Sequence, residues 1–306
     1  MADDLPLIGF GVPVAGQWAT PRTVSLVSKR AEDLGYASLW TFQRVLWPPG
    51  SGLSPSHRDV QDPLVTLSYV SALTTNIALG TATICAPFVA PALLAKALSS
   101  LDVMSAGRLT AGLGMGWLPE EYAAAGVPFD RRGARMEEYL RCLVALWTTD
   151  PVDFAGDFYS VPEAHVGPQP RQRPHPPILL GGASARALRR AGSMAQGWIA
   201  ASEQSAAAVG ASIGVVRQAA IDARRDPDAL RIVARCVVDL LDVKRAGRRP
   251  FQGTRRQIVD DLESLRSQGV TEVIVDLNLS HRVGFPGVDP DEALTYALRV
   301  LDALAP

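Results

Sequence analysis

The chain has 306 residues, 47% of them hydrophobic, with 30 Lys and Arg against 31 Asp and Glu. That is enough apolar chain to bury a large core, and it excludes a disordered polypeptide. The net charge of −1 excludes binding to nucleic acid by bulk positive charge.

The elements follow a regular alternation. Leu7 to Val12 reads as a strand. Thr20-Pro21 supplies a helix cap and a first-turn proline, and Val24, Val27, Ala31 and Leu34 then share one helix face. Gly35 ends that helix, and Ser38 to Thr41 is the second strand. Asp62-Pro63 starts a helix that runs to Leu73, and Ile77 to Thr83 is the third strand. Leu94, Leu98, Leu101 and Met104 mark the next helix, Leu109 to Gly114 the fourth strand, and Met136, Leu140, Leu143 and Trp147 the helix after it. Residues 148–177 are rich in proline and read as an insertion, with a hairpin around Phe154 to Tyr159. The alternation resumes with strands at Ile178–Leu180, Trp198–Ala200, Leu230–Leu240 and Val273–Leu277. Their helices run from Ser184 to Ala195, from about Gln204 to Arg224, from Thr254 to Gln268 and from Pro290 to Leu304.

Eight apolar strands, each followed by a helix, point to a parallel sheet buried on both faces. The whole chain, 1–306, is therefore expected to form one α/β domain, a (β/α)8 TIM barrel with the Pro-rich insertion before the fifth strand. A doubly wound open sheet is the alternative. Ile77 to Ala95 is free of charge, but Gly80, Pro87 and Pro91 break it, so it reads as strand, turn and helix and not as a membrane span.

Ligand chemistry is sparse. Cys85, Cys142 and Cys236 form no CxxC pair, which points to a reducing compartment, the cytoplasm. Asp3 and Asp4 replace the basic start of a secretory signal. His57, His165, His175 and His281 lie in separate loop-like stretches with no metal-ligand spacing, so no metal is expected.

Two windows depart from the average charge. Between Asp62 and Asp102 only Lys96 is charged. Outer helices without a charged face point to a homodimer formed through residues 63–101, or to a Ser/Thr/Ala-rich surface. Between Glu163 and Glu203 there is no acid, while Arg171, Arg173, Arg186, Arg189 and Arg190 give +5. At its centre Ile178-Leu-Leu-Gly-Gly-Ala-Ser184 runs from strand to helix through a double glycine, where free N–H groups and the helix dipole favour an anion. A second cluster, Gly112-Leu-Gly-Met-Gly-Trp117, follows the fourth strand with GxGxG spacing, which is not the dinucleotide fingerprint.

In this order the motifs resemble the bacterial luciferase-like superfamily of flavin and deazaflavin barrels. The resemblance spans nearly the whole chain. It rests on Gly35-Tyr36 with Ser38-Leu-Trp40, Leu79-Gly80-Thr81, Ser105-Ala-Gly-Arg108, Gly112 to Trp117 with Glu121, Gly126-Val-Pro-Phe-Asp130 with Arg131 to Arg135, Pro177 to Gly182, and Gly197-Trp198. It implies an isoalloxazine or deazaflavin ring at the barrel mouth and a phosphate at the loop after the fifth strand. Carried onto this sequence, the cofactor would meet Gln43, Ala82, Thr83, Gly114, Met115, Gly116, Gly181, Gly182, Ala183 and Ser184. In relatives a non-prolyl cis peptide often props the ring, and the matching bond here is Ala82-Thr83.

The run Trp40-Thr-Phe-Gln-Arg44 looks most like an actinobacterial branch that uses coenzyme F420, and 27 Arg against 3 Lys fits a GC-rich genome. The resemblance thus implies an F420-dependent oxidoreductase acting on a small carbonyl or enone. An FMN-dependent monooxygenase is the alternative, and a non-catalytic cofactor-binding barrel a further one. Sugar-phosphate dehydrogenases of the family use an Asp-His pair and a Glu where this chain has Gln43, Arg44 and Trp117, which argues against that substrate class. The candidate catalytic residues are then Gln43, Arg44 and Glu120, with Glu121 either an acid or a structural cap and His57 in a loop over the mouth. Phe10, Trp47 and Trp117 are the candidate walls of the substrate pocket.

Overall fold

A computed structural model describes residues 5–202 and 204–306. Asp3, Asp4 and Glu203, used above, lie outside them. Eight parallel strands close a barrel: β1 Leu7–Gly11, β2 Ser38–Thr41, β3 Ala78–Thr81, β4 Leu109–Gly114, β5 Ile178–Gly181, β6 Gly197–Ala200, β7 Arg231–Val237 and β8 Glu272–Asp276. Each strand pairs with its sequence neighbours, β1 pairs with β8, and Leu79↔Leu109 sets the register between β3 and β4. The open-sheet alternative is excluded by that closure.

The helices are α1 Pro21–Asp33, α2 Pro63–Leu73, α3 Pro91–Met104, α4 Pro119–Ala124, α5 Arg132–Thr148, α6 Ala185–Met194, α7 Ala206–Asp222, α8 Arg255–Ser267 and α9 Pro290–Ala303. Their starts follow the chemistry of caps. Thr20, Asp62, Ser184, Ser205, Thr254 and Asp289 each accept a hydrogen bond from a first-turn N–H. The six-residue α4 is a helix that sequence periodicity does not reveal, being too short to repeat. The insertion folds as an antiparallel hairpin, Val152–Ala155 with Ser160–Ala164. The seventh strand ends at Val237, and Asp239–Leu240 pairs separately with Gln252–Gly253. Among the described residues no helix is long and apolar enough to cross a membrane.

Two apolar layers result. Trp40, Ala82, Leu179, Ile199, Val233 and Ile274 pack together as a small inner cluster, and a much larger cluster fills the space between strands and helices. Gly80 is required by the first: a Cβ there would collide with the Trp40 indole. Alternation along β1 sends Gly9 and Gly11 toward the barrel axis, against Ser38 and Asp276, and Phe10 the other way. Phe10 is fully buried edge-on to Tyr36, ring centroids 5.7 Å apart, in the outer layer. It is therefore not a wall of the substrate pocket.

Candidate active site

The C-terminal ends of β2 to β7 open into a cleft of about 520 Å³. The loop after β3 carries the cis peptide Ala82–Thr83, and both residues line the cleft. The chain then pairs briefly with β4, Ile84↔Leu113 and Cys85↔Gly114. Gln43 stitches this segment to β2. Its N–H donates to the Thr83 carbonyl at 3.3 Å, and its Oε1 accepts from the Cys85 N–H at 2.8 Å. Gln43 lines the cleft, and its Nε2 makes no hydrogen bond among the described residues. Burial pushes the Cys85 thiol up to about 12, so it is no nucleophile at neutral pH.

Gly114, Met115, Gly116 and Trp117 form the next wall, and Gly181, Gly182, Ala183 and Ser184, at the end of the neighbouring strand β5, the one beside it. Gly182 has φ +136°, and a Cβ there would lie 2.7 Å from the Ala187 Cβ, so only glycine fits. Trp198 Nε1 donates to the Gly182 carbonyl at 2.8 Å and holds the loop. Ser184 then caps α6, whose first turn opens onto the cleft.

Arg44 lies 2.9 Å from Glu121, with only 12% and 2% of the two side chains exposed. It also faces the Trp117 ring, 5.4 Å from the centroid. The other Glu121 oxygen accepts from the N–H groups of Val45 and Leu46. Glu121 is thus the anchor of the β2 loop. Its neighbour Glu120 points to solvent, since successive helix positions face about 100° apart, and it does not line the cleft. Glu120 is corrected from the catalytic set for that reason. Trp47 is corrected too: it is half-buried within its own loop, Nε1 donating to the Leu53 carbonyl at 3.3 Å, and does not reach the cleft wall.

The cluster of five arginines is divided by the fold. Residues 171–173 precede β5, where Gln172 bonds Asp102 and the Leu109 carbonyl, so Arg171 and Arg173 stand at the opposite end of the barrel. Arg190 lines the cleft but pairs with Glu137 at 3.0 Å. Arg186 and Arg189 are exposed on α6. Sequence reasoning missed Arg132 and Arg235. Arg132 lines the cleft over the Phe129 ring with its Nε buried and unpartnered, and Arg235 lines it with Nε paired to Asp276. Arg132 lies within the Arg131–Arg135 run, which gives no sign that it faces the cleft, and Arg235 stands in no motif; only folding brings the start of α5 and the end of β7 to this mouth. His57 also lines the cleft, edge-on to Phe42 at 6.2 Å. Burial pushes its pKa down, and the charges of Arg44 and Arg235 add to that, against the Ser54 carbonyl and Asp276.

Comparison with known proteins agrees with this geometry. The luciferase-like monooxygenase family matches residues 10–246. A protein of Mycobacterium tuberculosis is 30% identical over 280 residues, 86% of this chain and 88% of its own. The FMNH2-dependent dimethylsulfone monooxygenase of Pseudomonas putida is 36% identical over 163 residues, 52% of this chain and 44% of that enzyme. The F420-dependent glucose-6-phosphate dehydrogenase of Amycolatopsis mediterranei is 29% identical over 201 residues, 64% of this chain and 58% of that enzyme. In fold, a monooxygenase of Streptomyces bottropensis superposes with a TM-score of 0.78 at 20% identity, over 97% of this chain and 98% of that one. A closed barrel with a glycine-walled cleft at its strand ends, together with a family match over most of the chain, places this protein in the luciferase-like monooxygenase family.

Proposed function

We propose that the cleft holds coenzyme F420 and that the protein is an F420-dependent oxidoreductase of a small carbonyl or hydroxyl substrate in the cytoplasm. The observation that carries this reading is the charge of the wall. Arg44, Arg132, Arg190 and Arg235 line the cleft; Glu121, Glu137 and Asp276 pair with three of them from outside its lining, and Arg132 has no ion-pair partner among the described residues. Such a wall suits an anionic ligand.

The residues fit the group. Gly181 and Gly182 let a phosphate approach the backbone at the start of α6. Arg132, without an ion-pair partner among the described residues, adds a fixed positive charge beside that loop. Exposed Arg186 and Arg189 on the first turns of α6 are placed to meet an oligoglutamate tail. Ala82, Thr83 and Gln43 are the lining residues that would hold the ring, with the Gln43 side-chain amide as its hydrogen-bond donor. When bound, F420 supplies a hydride acceptor or donor at one ring carbon. The chain binds and orients, and Met115, Met136 and Ile199 keep water from the ring.

Titrating the protein with F420 and with FMN, and following ring fluorescence, tests the assignment. Tighter binding of F420 is expected; tighter binding of FMN overturns it. The 36% identity to an FMNH2-dependent enzyme favours a second reading, an FMN-dependent monooxygenase, which that outcome would select.

A further inference from the structure

The inward faces of β7 and β8 carry three layers. Arg231 and Glu272 begin the two strands at the end of the barrel away from the cleft, and Arg231 Nη2 donates to Glu272 Oε2 at 2.9 Å. Val233 and Ile274 follow, and Arg235 with Asp276 closes the series at the mouth. The lower pair does not line the cleft, yet its carboxylate is only 2% exposed. A charge persists in a barrel core only where its hydrogen bonds are made.

Glu272 meets that condition by holding the motif Ser38-Leu-Trp40. Ser38 Oγ donates to Glu272 Oε1, and Trp40 Nε1 donates both to that oxygen at 3.0 Å and to Ser38 Oγ at 2.6 Å. Arg231 Nη1 donates to Thr110 Oγ1 on β4 at 2.9 Å, which fixes the cation. Two glycines make room for this assembly. A Cβ at Gly9 would collide with Ser38 Oγ, and one at Gly80 with the six-membered ring of the indole. The indole therefore fills the place of a side chain at position 80, on the inward face of β3. Ala82, two residues on, belongs to the same inner cluster, and Ala82 and Ile199 are its members that line the cleft. A buried indole N–H without an acceptor is costly, so the orientation of Trp40 follows the carboxylate.

We propose that Glu272 is a positioning residue for the cleft: from the far end of the barrel, Glu272 and Ser38 set the Trp40 indole, and the indole supports Ala82 and Thr83 from below. Glu272 touches no ligand and exchanges no proton in this role. The Ser38-Leu-Trp40 motif thereby acts on the cleft without lining it. The proposal rests on the previous section only in treating the cleft as a cofactor site. On its other side the supported wall is held by backbone bonds. The Ala82 N–H donates to the Thr41 carbonyl at 2.6 Å, and the Gln43 N–H to the Thr83 carbonyl at 3.3 Å. With the indole loosened, those bonds open more often, so exchange of the amides in this segment reports on the support.

Two arms test this. In the first, amide hydrogen exchange of residues 81–86 is followed by mass spectrometry in the protein without cofactor. Trp40→Phe removes the N–H, and Glu272→Met removes the acceptor at similar length; each is expected to speed exchange there by at least about ten-fold. Glu272→Gln, which keeps an acceptor oxygen for Ser38 and Trp40, is expected to stay within about three-fold of wild type. Trp40→Phe and Glu272→Met combined should exchange no faster than the faster single variant, since both act through one contact. Asp102→Asn is the control. Asp102 is a fully buried carboxylate bonded to Gln172 at the same end of the barrel and outside the inner cluster. Its loss is expected to lower the melting temperature and to leave exchange at 81–86 within about two-fold. Unchanged exchange in Trp40→Phe overturns the proposal, as do additive effects in the combined variant or an equal effect of Asp102→Asn. If Glu272→Met does not fold, Trp40→Phe against Asp102→Asn decides. In the second arm F420 and FMN are titrated. Glu272→Met is expected to weaken whichever cofactor the wild type binds by at least about ten-fold and to shift the absorption maximum of the bound ring. Unchanged affinity and spectrum overturn the link to the cleft. If neither cofactor binds the wild type, the cofactor reading falls, and the exchange arm still decides the positioning.

Discussion

Glu121 and Arg44 meet at 2.9 Å beneath the β2 loop, and the same carboxylate holds the N–H groups of Val45 and Leu46. One buried side chain on a six-residue helix therefore fixes both the charge and the backbone of one cleft wall. Removing one partner of such a pair strands the other. Glu121→Ala is expected to destabilise the fold by about 3–5 kcal/mol. Glu121→Gln, which keeps an acceptor for the backbone, is expected to cost less. Denaturant unfolding measures both, and equal stability of all three proteins would contradict the anchor role.

Gly182 stands where a side chain would meet Ala187 and where φ is +136°. Gly182→Val should weaken cofactor binding by at least about ten-fold, on the order of 1.4 kcal/mol. Melting temperature read beside the fluorescence titration separates a lost phosphate loop from a lost fold.

Charge reversal on α6 distinguishes the two cofactors. Arg186→Glu with Arg189→Glu is expected to weaken F420 binding and to leave FMN binding within two-fold, because only F420 carries a charged tail. The difference should shrink at high salt, since both side chains are exposed. Equal losses for both cofactors would show that these arginines act on the shared phosphate.

His57 makes stability depend on pH. Its folded pKa is lowered, by burial and then by Arg44 and Arg235, so the unfolded chain binds the proton more readily. Above the ordinary histidine value, about 6.5, both states are neutral and the residue contributes nothing. As pH falls below that value the unfolded state gains, and stability is lost until the folded pKa is passed. His57→Gln should show a shallower fall between pH 7 and 5 in urea unfolding. Parallel curves for the two proteins would mean that His57 titrates alike in both states.

The face of α2 and α3 leaves Val65, Tyr69, Leu93 and Met104 exposed, with Lys96 the one charge between Asp62 and Asp102. A second copy of the chain is expected to cover it. Sedimentation should give a dimer, and Val65→Arg with Leu93→Arg should yield a monomer. A wild-type monomer at micromolar concentration would refute the expectation.

The architecture was legible because it is written in local patterns. Apolar runs alternate with 3.6-residue faces, and Thr20, Asp62, Ser184, Thr254 and Asp289 mark helix starts wherever a first turn needs an acceptor. The glycine walls were legible too, because close approach and φ above zero need glycine whatever surrounds it.

What only the tertiary structure decided is which side chain faces which space. Phe10 lies one residue from Gly9 and Gly11 but on the opposite face of β1, and Glu120 and Glu121 part company on one helix turn. The +5 window was a sum along the chain, and strand β5 carries its two halves to opposite ends of the barrel. Arg132, Arg235 and His57 belong to no common motif, yet the barrel's closure brings all three to one mouth. Sequence spacing encodes periodicity within an element. The meeting of side chains from distant elements depends on strand register and closure, which only the folded barrel sets.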